Sequence, residues 1–378
     1  MKEAKRRGTE TKITEEMIQE LLGEKGIEYP ARRQFNEVAT KDAIRHWADA
    51  IGDLNPLWRD EEYARKTLYG GLIAPPTWLF STTMMAGRMG LPGVHGMHSG
   101  TDWHFHKPVR LNDRISVTGQ LHELIEKTHS EFAGRSFLQI MRQVYRNQKG
   151  EIVAELFTQT IRHERDAARE KGKYYGITKH VYNDEELEVI WAAIEREEIR
   201  GAPPRYWEDV QPGEELTPVV KGPLTVSDIV AFKIGWGNEP FMWANEIRYS
   251  YLKRHPSTPI RNRLNVPDVP ESVHYDDDMA IRVGVPGLYD YGPQRISWLG
   301  HLVTNWMGDD GWLKRLNIQV RRHNIEGDTQ WCKGRVRQKH TQGQEYLVEC
   351  EIRCENQRNE VTALGTAIVQ LPTRGATR

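Results

Sequence analysis

Between His274 and Trp306 the chain reads HYDDDMAIRVGVPGLYDYGPQRISWLGHLVTNW. A histidine can take or give a proton near neutral pH. Carboxylates crowd this one: Asp268 and Glu271 before it, Asp276 after it, Asp290 further on. Gly292-Pro293 then opens an apolar stripe of Ile296, Leu299, Val303 and Trp306 at helical spacing. Proline suits the first helical position, where its missing N–H has no partner to lose. The free N–H groups of such a helix start can hold a developing negative charge. Proton transfer beside a forming anion is therefore the chemistry this stretch suggests.

These residues need elements to position them. The stretch predicts a histidine, a short helix, a tight loop and a long buried helix. Upstream, Ile44, Trp47, Ala48 and Ile51 predict a helix opening at Thr40 and stopping at the turn-rich GDLNPLW, Gly52 to Trp58. A short helix, DEEYARKTL, follows, and LIAPPTWLFSTTMM is a second candidate for a buried helix. From Trp103 to Ile161 the period changes to two, with a hairpin turn at Asn147 to Gly150. NDEELEVIWAAIEREEIRG predicts a linker helix capped by Asn183 and stopped by Gly201. LTVSDIVAFKIG predicts another, capped by Ser227 or Thr225, and alternating strands follow the focal stretch.

The order repeats. PVRLNDRISVTGQ around Asp113 matches HNIEGDTQWCKGR around Asp328, and RDEEYA after Trp58 matches YDDDMA after His274. Such offsets predict a duplicated unit of helix plus antiparallel sheet, with the two sheets joined edge to edge. The expected organisation is an N-terminal helical extension (1–33), a first unit (34–164), a helical linker (165–204) and a second unit (205–372).

Composition sets limits. The chain has 378 residues, with 52 basic and 53 acidic side chains. That balance gives no support for nucleic acid or an anionic membrane as partner. No run is long and apolar enough to span a bilayer, and the basic start, with no apolar stretch after it, is not expected to be a secretory signal. The three cysteines, Cys332, Cys350 and Cys354, do not suggest a disulfide framework. A cytoplasmic protein is the expectation. His104 and His106 flank Phe105 as strand-surface residues, and no metal site is expected. Asp309-Asp310 is expected to be a turn.

GDLNPLWRDEEYA resembles the signature of the MaoC-like, or R-specific, enoyl-CoA hydratases and dehydratases. The resemblance implies an α+β double hotdog: two tandem units, each a long central helix wrapped by a curved antiparallel sheet. In the first unit Asp53, Asn55 and Pro56 match, but Trp58 replaces the family's histidine and Pro76 replaces a glycine whose N–H polarises the thioester. Proline has no N–H to donate. In the second unit His274, Asp276, Ala280 and Gly292 fall where the family has histidine, aspartate, alanine and that glycine. The family's catalytic aspartate would fall on Val269; Asp268 is one residue away. GWGNEP, Gly235 to Pro240, resembles a displaced copy of the turn, split off by an inserted loop carrying Arg248, Lys253, Arg254, Arg261 and Arg263.

The resemblance thus implies reversible hydration of a 2-enoyl-CoA, with His274 and Asp268 as the acid/base pair and the Gly292 N–H as oxyanion donor. Glu271, Asp276, Asp290 and Asp53 are the rival carboxylates. Tyr289, Asp290, Tyr291, Asp53 and Asn55 are the expected substrate contacts. Neither metal nor organic cofactor is implied. The expected assembly is a homodimer of double hotdogs. A non-catalytic acyl-CoA-binding subunit and an acyl-CoA thioesterase are the alternatives.

Overall fold

The computed structural model describes residues 12–130, 134–164, 177–237, 243–256 and 259–375. The strands are β1 (Tyr29–Pro30), β2 (His95–Phe105), β3 (Ser116–Ser130), β4 (Gly134–Arg146), β5 (Ile152–His163), β6 (Glu215–Lys221), β7 (Ile260–Arg261), β8 (Pro267–Asp268), β9 (Trp312–Val320), β10 (Gln330–Gln342), β11 (Glu345–Asn356) and β12 (Val361–Gln370). Strands β7 and β8 form a small ladder of their own. The other ten make one sheet in the order β1-β3-β4-β5-β2-β9-β12-β11-β10-β6. Its first five strands map onto β6, β10, β11, β12 and β9 in the same connectivity.

The repeat anchors are chemically equivalent. Gln148 Nε2 donates to Asp113 Oδ1 at 2.8 Å, and Gln357 Nε2 to Asp328 Oδ1 at 2.8 Å. Each aspartate also takes the N–H three residues before it, Arg110 at 2.8 Å and Ile325 at 3.2 Å. These are Asx-type clamps that tie a strand entrance to the neighbouring hairpin.

The two halves join where β2 pairs with β9, from Gly100 opposite Gln319 to His104 opposite Arg315. Arg315 forks onto Asp102 with bonds of 2.8 and 2.6 Å. A Cβ on Gly100 would lie 2.4 Å from the Ile318 carbonyl oxygen, so only glycine allows this closeness.

The helix over Gly292–Met307 forms as expected, and every residue from Gln294 to Met307 is buried. It packs on β6, on β9 to β12 and on β2, while the helix over Lys41–Ile51 covers it from the other side. Its polar side chains are therefore paired rather than solvated. Arg295 donates to the Arg322 and Thr362 carbonyls at 2.6 and 3.2 Å, and Asn305 to Glu197 at 2.9 Å.

Among the described residues the first half has no matching long helix, which corrects the expectation of one in each unit. Pro76–Ser81 makes one short 3-10 segment, and Thr82 Oγ1 bonds the Leu79 carbonyl at 2.8 Å. Hydroxyl side chains that take backbone carbonyls compete with helix continuation. The linker helix is also shorter than its pattern. It has the expected Asn183 cap with a Glu186 capping box, but ends at Glu195, before Gly201. Just beyond, Glu197 is drawn inward to His301 and Asn305, at 2.8 and 2.9 Å. His104 and His106 lie on the strand surface, half exposed beside Asp102 and Glu155. Asp309 is more than a turn residue: it is 3 % exposed and accepts the Tyr63 hydroxyl at 2.6 Å.

Candidate active site

The two entry segments are built alike. Helix Lys41–Ile51 stops at Gly52 and helix Val226–Trp236 at Gly237, both left-handed, with φ of 64° and 85°. Thr225 caps the second helix. In the first half the chain goes straight into the 3-10 turn Pro56–Trp58. In the second the inserted segment intervenes before the equivalent turn, Pro270–His274. Asp60 and Asp276 then cap the short helices Glu61–Arg65 and Asp277–Arg282. Asp276 is therefore occupied as a cap, receiving Met279 N–H at 3.1 Å.

A 3-10 helix has three residues per turn, so side chains at i and i+3 eclipse. That places Glu271 on the same side as His274. The charges that act on His274 are those of Glu271 and Lys233. Lys233, from helix Val226–Trp236, is 4 % exposed and bonds Glu271 Oε1 at 2.9 Å. Its ammonium also lies 4.8 Å from the Tyr291 ring centroid. Burial pushes the Glu271 carboxyl up, but the charges of His274 and Lys233 and the bonds from Lys233 and the Tyr291 hydroxyl outweigh it. Glu271 stays below the usual carboxylate range and is ionised.

His274 Nδ1 is 2.8 Å from the Tyr289 carbonyl and so carries the ring hydrogen, leaving the Nε2 lone pair open. Burial, helped by Lys233, holds the imidazole below its ordinary value against the opposing pull of Glu271 and that carbonyl. Tyr291 lies against the ring, centroids 3.9 Å apart, and Tyr289 meets it at 4.5 Å. Tyr289 also meets His323 at 4.8 Å. His323 is driven down to about 4 by burial, then by Arg295 and His274.

Gly292 opens the central helix, with Tyr291 as an N-cap that makes no side-chain cap bond. His274, Tyr289, Tyr291 and Gly292 are thus brought together. Asp290 is not open to a ligand. It is 1 % exposed, paired with Arg295 at 2.8 Å and bonded by Asn324 at 2.9 Å, and burial raises it to about 6. Asp268 sits in β8, and its Oδ1 takes the N–H of Val269 at 2.8 Å. It is not among the groups that act on His274. Glu271, brought up at position i−3 by the 3-10 turn, is the carboxylate whose charge acts on His274.

Asp53 and Asn55 lie elsewhere. Asp53 is 1 % exposed, receives Asn55 N–H at 3.0 Å and stands 3.5 Å from His301 Nε2. His301 is nine residues along the central helix from Gly292, about 14 Å at 1.5 Å per residue. Asn55 caps Leu57 N–H at 3.0 Å, and Trp58, 2 % exposed, fills the core beside them. Lys233 and Glu271 carry the electrostatics; the sequence offered Glu271 only as one of several rival carboxylates near His274, and gave no signal for Lys233.

A family of FAS1-like dehydratase domain regions matches residues 25–156. A UPF0336 protein of Streptomyces coelicolor is 31% identical over 143 residues, 36% of this chain and 90% of that protein. The chain belongs to the MaoC-like dehydratase family. A probable enoyl-CoA hydratase alpha subunit of Thermomonospora curvata is 30% identical to this MaoC-like chain over 130 residues, 29% of the chain and 40% of that protein. A solved MaoC-like dehydratase superposes with a TM-score of 0.64 at 17% identity, covering 93% of this chain and 99% of that one. The fold is a double hotdog, α+β in class, with one long central helix. The match to the dehydratase-region family falls on the half carrying Trp58, whereas the histidine cluster stands in the other half.

Proposed function

We propose that this MaoC-like chain catalyses reversible hydration of a 2-enoyl-CoA, with one site per chain, at His274. The observation that carries the reading is the neutral His274, Nε2 open, next to the uncapped helix start at Gly292. His274 Nε2 takes a proton from water, and the water oxygen bonds C3 of the enoyl group. The electrons move to the thioester oxygen, which the Gly292 N–H holds. The imidazolium then returns the proton to C2, the enolate collapses, and a 3-hydroxyacyl-CoA results. Glu271 is ionised and held by Lys233, so it steadies the imidazolium and does not supply the proton. Asp268 has no part in this scheme. Tyr289 and Tyr291 orient the imidazole. The chemistry calls for acid–base groups alone, without metal or organic cofactor.

The second reading, a non-catalytic acyl-CoA-binding subunit, is favoured by the family match lying on the half without the histidine. Hydration of crotonyl-CoA, followed as loss of enoyl absorbance, separates the two. Active wild type, with His274→Ala reduced by about 10²- to 10⁴-fold, supports the hydratase. CoA-ester binding without turnover supports the binding subunit, and released free thiol would point to a thioesterase. Among the described residues no helix is long and apolar enough to cross a membrane. A cytoplasmic homodimer completes the proposal; light scattering at twice the 43.8 kDa chain mass is its check.

A further inference from the structure

We propose that His98, a residue of the first half, donates a second hydrogen bond to the substrate oxygen that the Gly292 N–H holds. The proposal rests on the hydration reading above and adds a residue from the other half of the molecule.

Strand β2 lies next to the second half through its pairing with β9, and it brings His98 against the start of the central helix. A Cβ built on Gly292 would stand 2.5 Å from His98 Nδ1 and 3.1 Å from Cε1. Glycine at 292 therefore leaves room for the imidazole as well as presenting its own N–H. His98 Nδ1 is buried and makes no hydrogen bond within the protein. A buried polar atom without a partner is destabilising, and a bound ligand can supply the missing partner.

The charge state suits a donor. Burial, then the nearby Arg295 charge, pushes His98 down to about 4, against a bond to the Gly100 backbone that pulls it up. The ring is neutral and carries one N–H; in the tautomer that donates from Nδ1 to the substrate oxygen, the Gly100 backbone contact is given up. A neutral imidazole beside a helix N-terminus can polarise a carbonyl and hold the enolate oxygen while keeping its proton.

The test compares wild type with His98→Ala and His98→Gln, the latter retaining a side-chain N–H. On crotonyl-CoA, His98→Ala is expected to lose about 10²-fold in kcat with KM within threefold. His98→Gln is expected to recover at least tenfold of that loss. Binding supplies a readout independent of turnover: His98→Ala should weaken acetoacetyl-CoA, whose enolate mimics the intermediate, and leave saturated butyryl-CoA unchanged. A His98→Ala kcat within threefold of wild type overturns the proposal. So does equal weakening for both CoA esters, which marks a structural role. Should His98→Ala fail to fold, His98→Gln against His98→Phe carries the same comparison. A wild type inactive on every enoyl-CoA overturns the hydration reading itself.

Discussion

Replacing Lys233 by methionine tests the electrostatics of the His274 turn most directly. The side chains of Lys233 and Glu271 are 4 % and 13 % exposed, so the variant leaves a carboxylate buried without its cation. Breaking such a pair from one side typically destabilises by about 3–5 kcal/mol. Protonation sets a ceiling. A carboxyl forced to carry a proton at pH 7.5, from an unfolded value of about 4.3, costs about 1.36 × 3.2, or about 4.4 kcal/mol. At pH 5.5 the same arithmetic gives about 1.6 kcal/mol. In wild type Glu271 is depressed, so its contribution is present above the unfolded value and is lost only as pH falls through the lower folded value. In the variant the folded value is raised, so stability is held at low pH and lost as pH rises. Urea unfolding followed by tryptophan fluorescence should show Lys233→Met about 3–4 kcal/mol less stable at pH 7.5, and about 1–2 at pH 5.5. The double variant Lys233→Met/Glu271→Leu should regain most of that, because an apolar pair of similar volume replaces the ions. A penalty below about 1 kcal/mol that is equal at both pH values would refute the reasoning.

Other outcomes follow from the same geometry. The acid limb of the pH–rate profile should lie below the ordinary imidazole value, since His274 must be neutral to act and burial depresses it. Glu271→Gln should move that limb further down, because Glu271 is the charge that raises His274; an upward move in steady-state profiles would contradict the pairing. Asp268→Asn should keep kcat within twofold of wild type on crotonyl-CoA, its carboxylate being tied to the Val269 N–H. Asp328→Ala should destabilise by about 2–4 kcal/mol in urea, since Arg358, Gln357 and the Ile325 N–H all lose their acceptor. Leu302→Ala, at a position 0 % exposed, should destabilise by about 2–5 kcal/mol.

What the sequence carried and what it did not have physical reasons. Gly292-Pro293 and the apolar stripe behind it specify a helix locally, so that element was legible. Asp113 and Asp328 were legible because their segments repeat at a fixed offset, whereas the Gln148 and Gln357 bonds that clamp them come from 35 and 29 residues away. Glu271 ranked behind Asp268 because the family's aspartate, counted five residues before the histidine, falls on Val269, one residue from Asp268. The 3-10 geometry that aligns positions 271 and 274 has no strong residue signature. Lys233 and His98 reach the site by helix packing and strand pairing, at separations of 41 and 176 residues from His274. No local pattern marks such contacts. The missing helix of the first half was hidden by an apolar run that suits a helix and a buried 3-10 segment equally well.

The seam between β2 and β9 has a consequence for synthesis. Phe105 leaves the ribosome 207 residues before Trp312. At about 5–20 residues per second the edge of β2 waits roughly 10–40 s for its partner. A bare edge is a template for wrong pairing with a neighbouring nascent chain. Asp102 sits in the middle of that edge, and until Arg315 arrives it is a charge with only its strand neighbour His104 beside it. The ion pair that later locks the halves together thus begins as a guard on an unfinished protein.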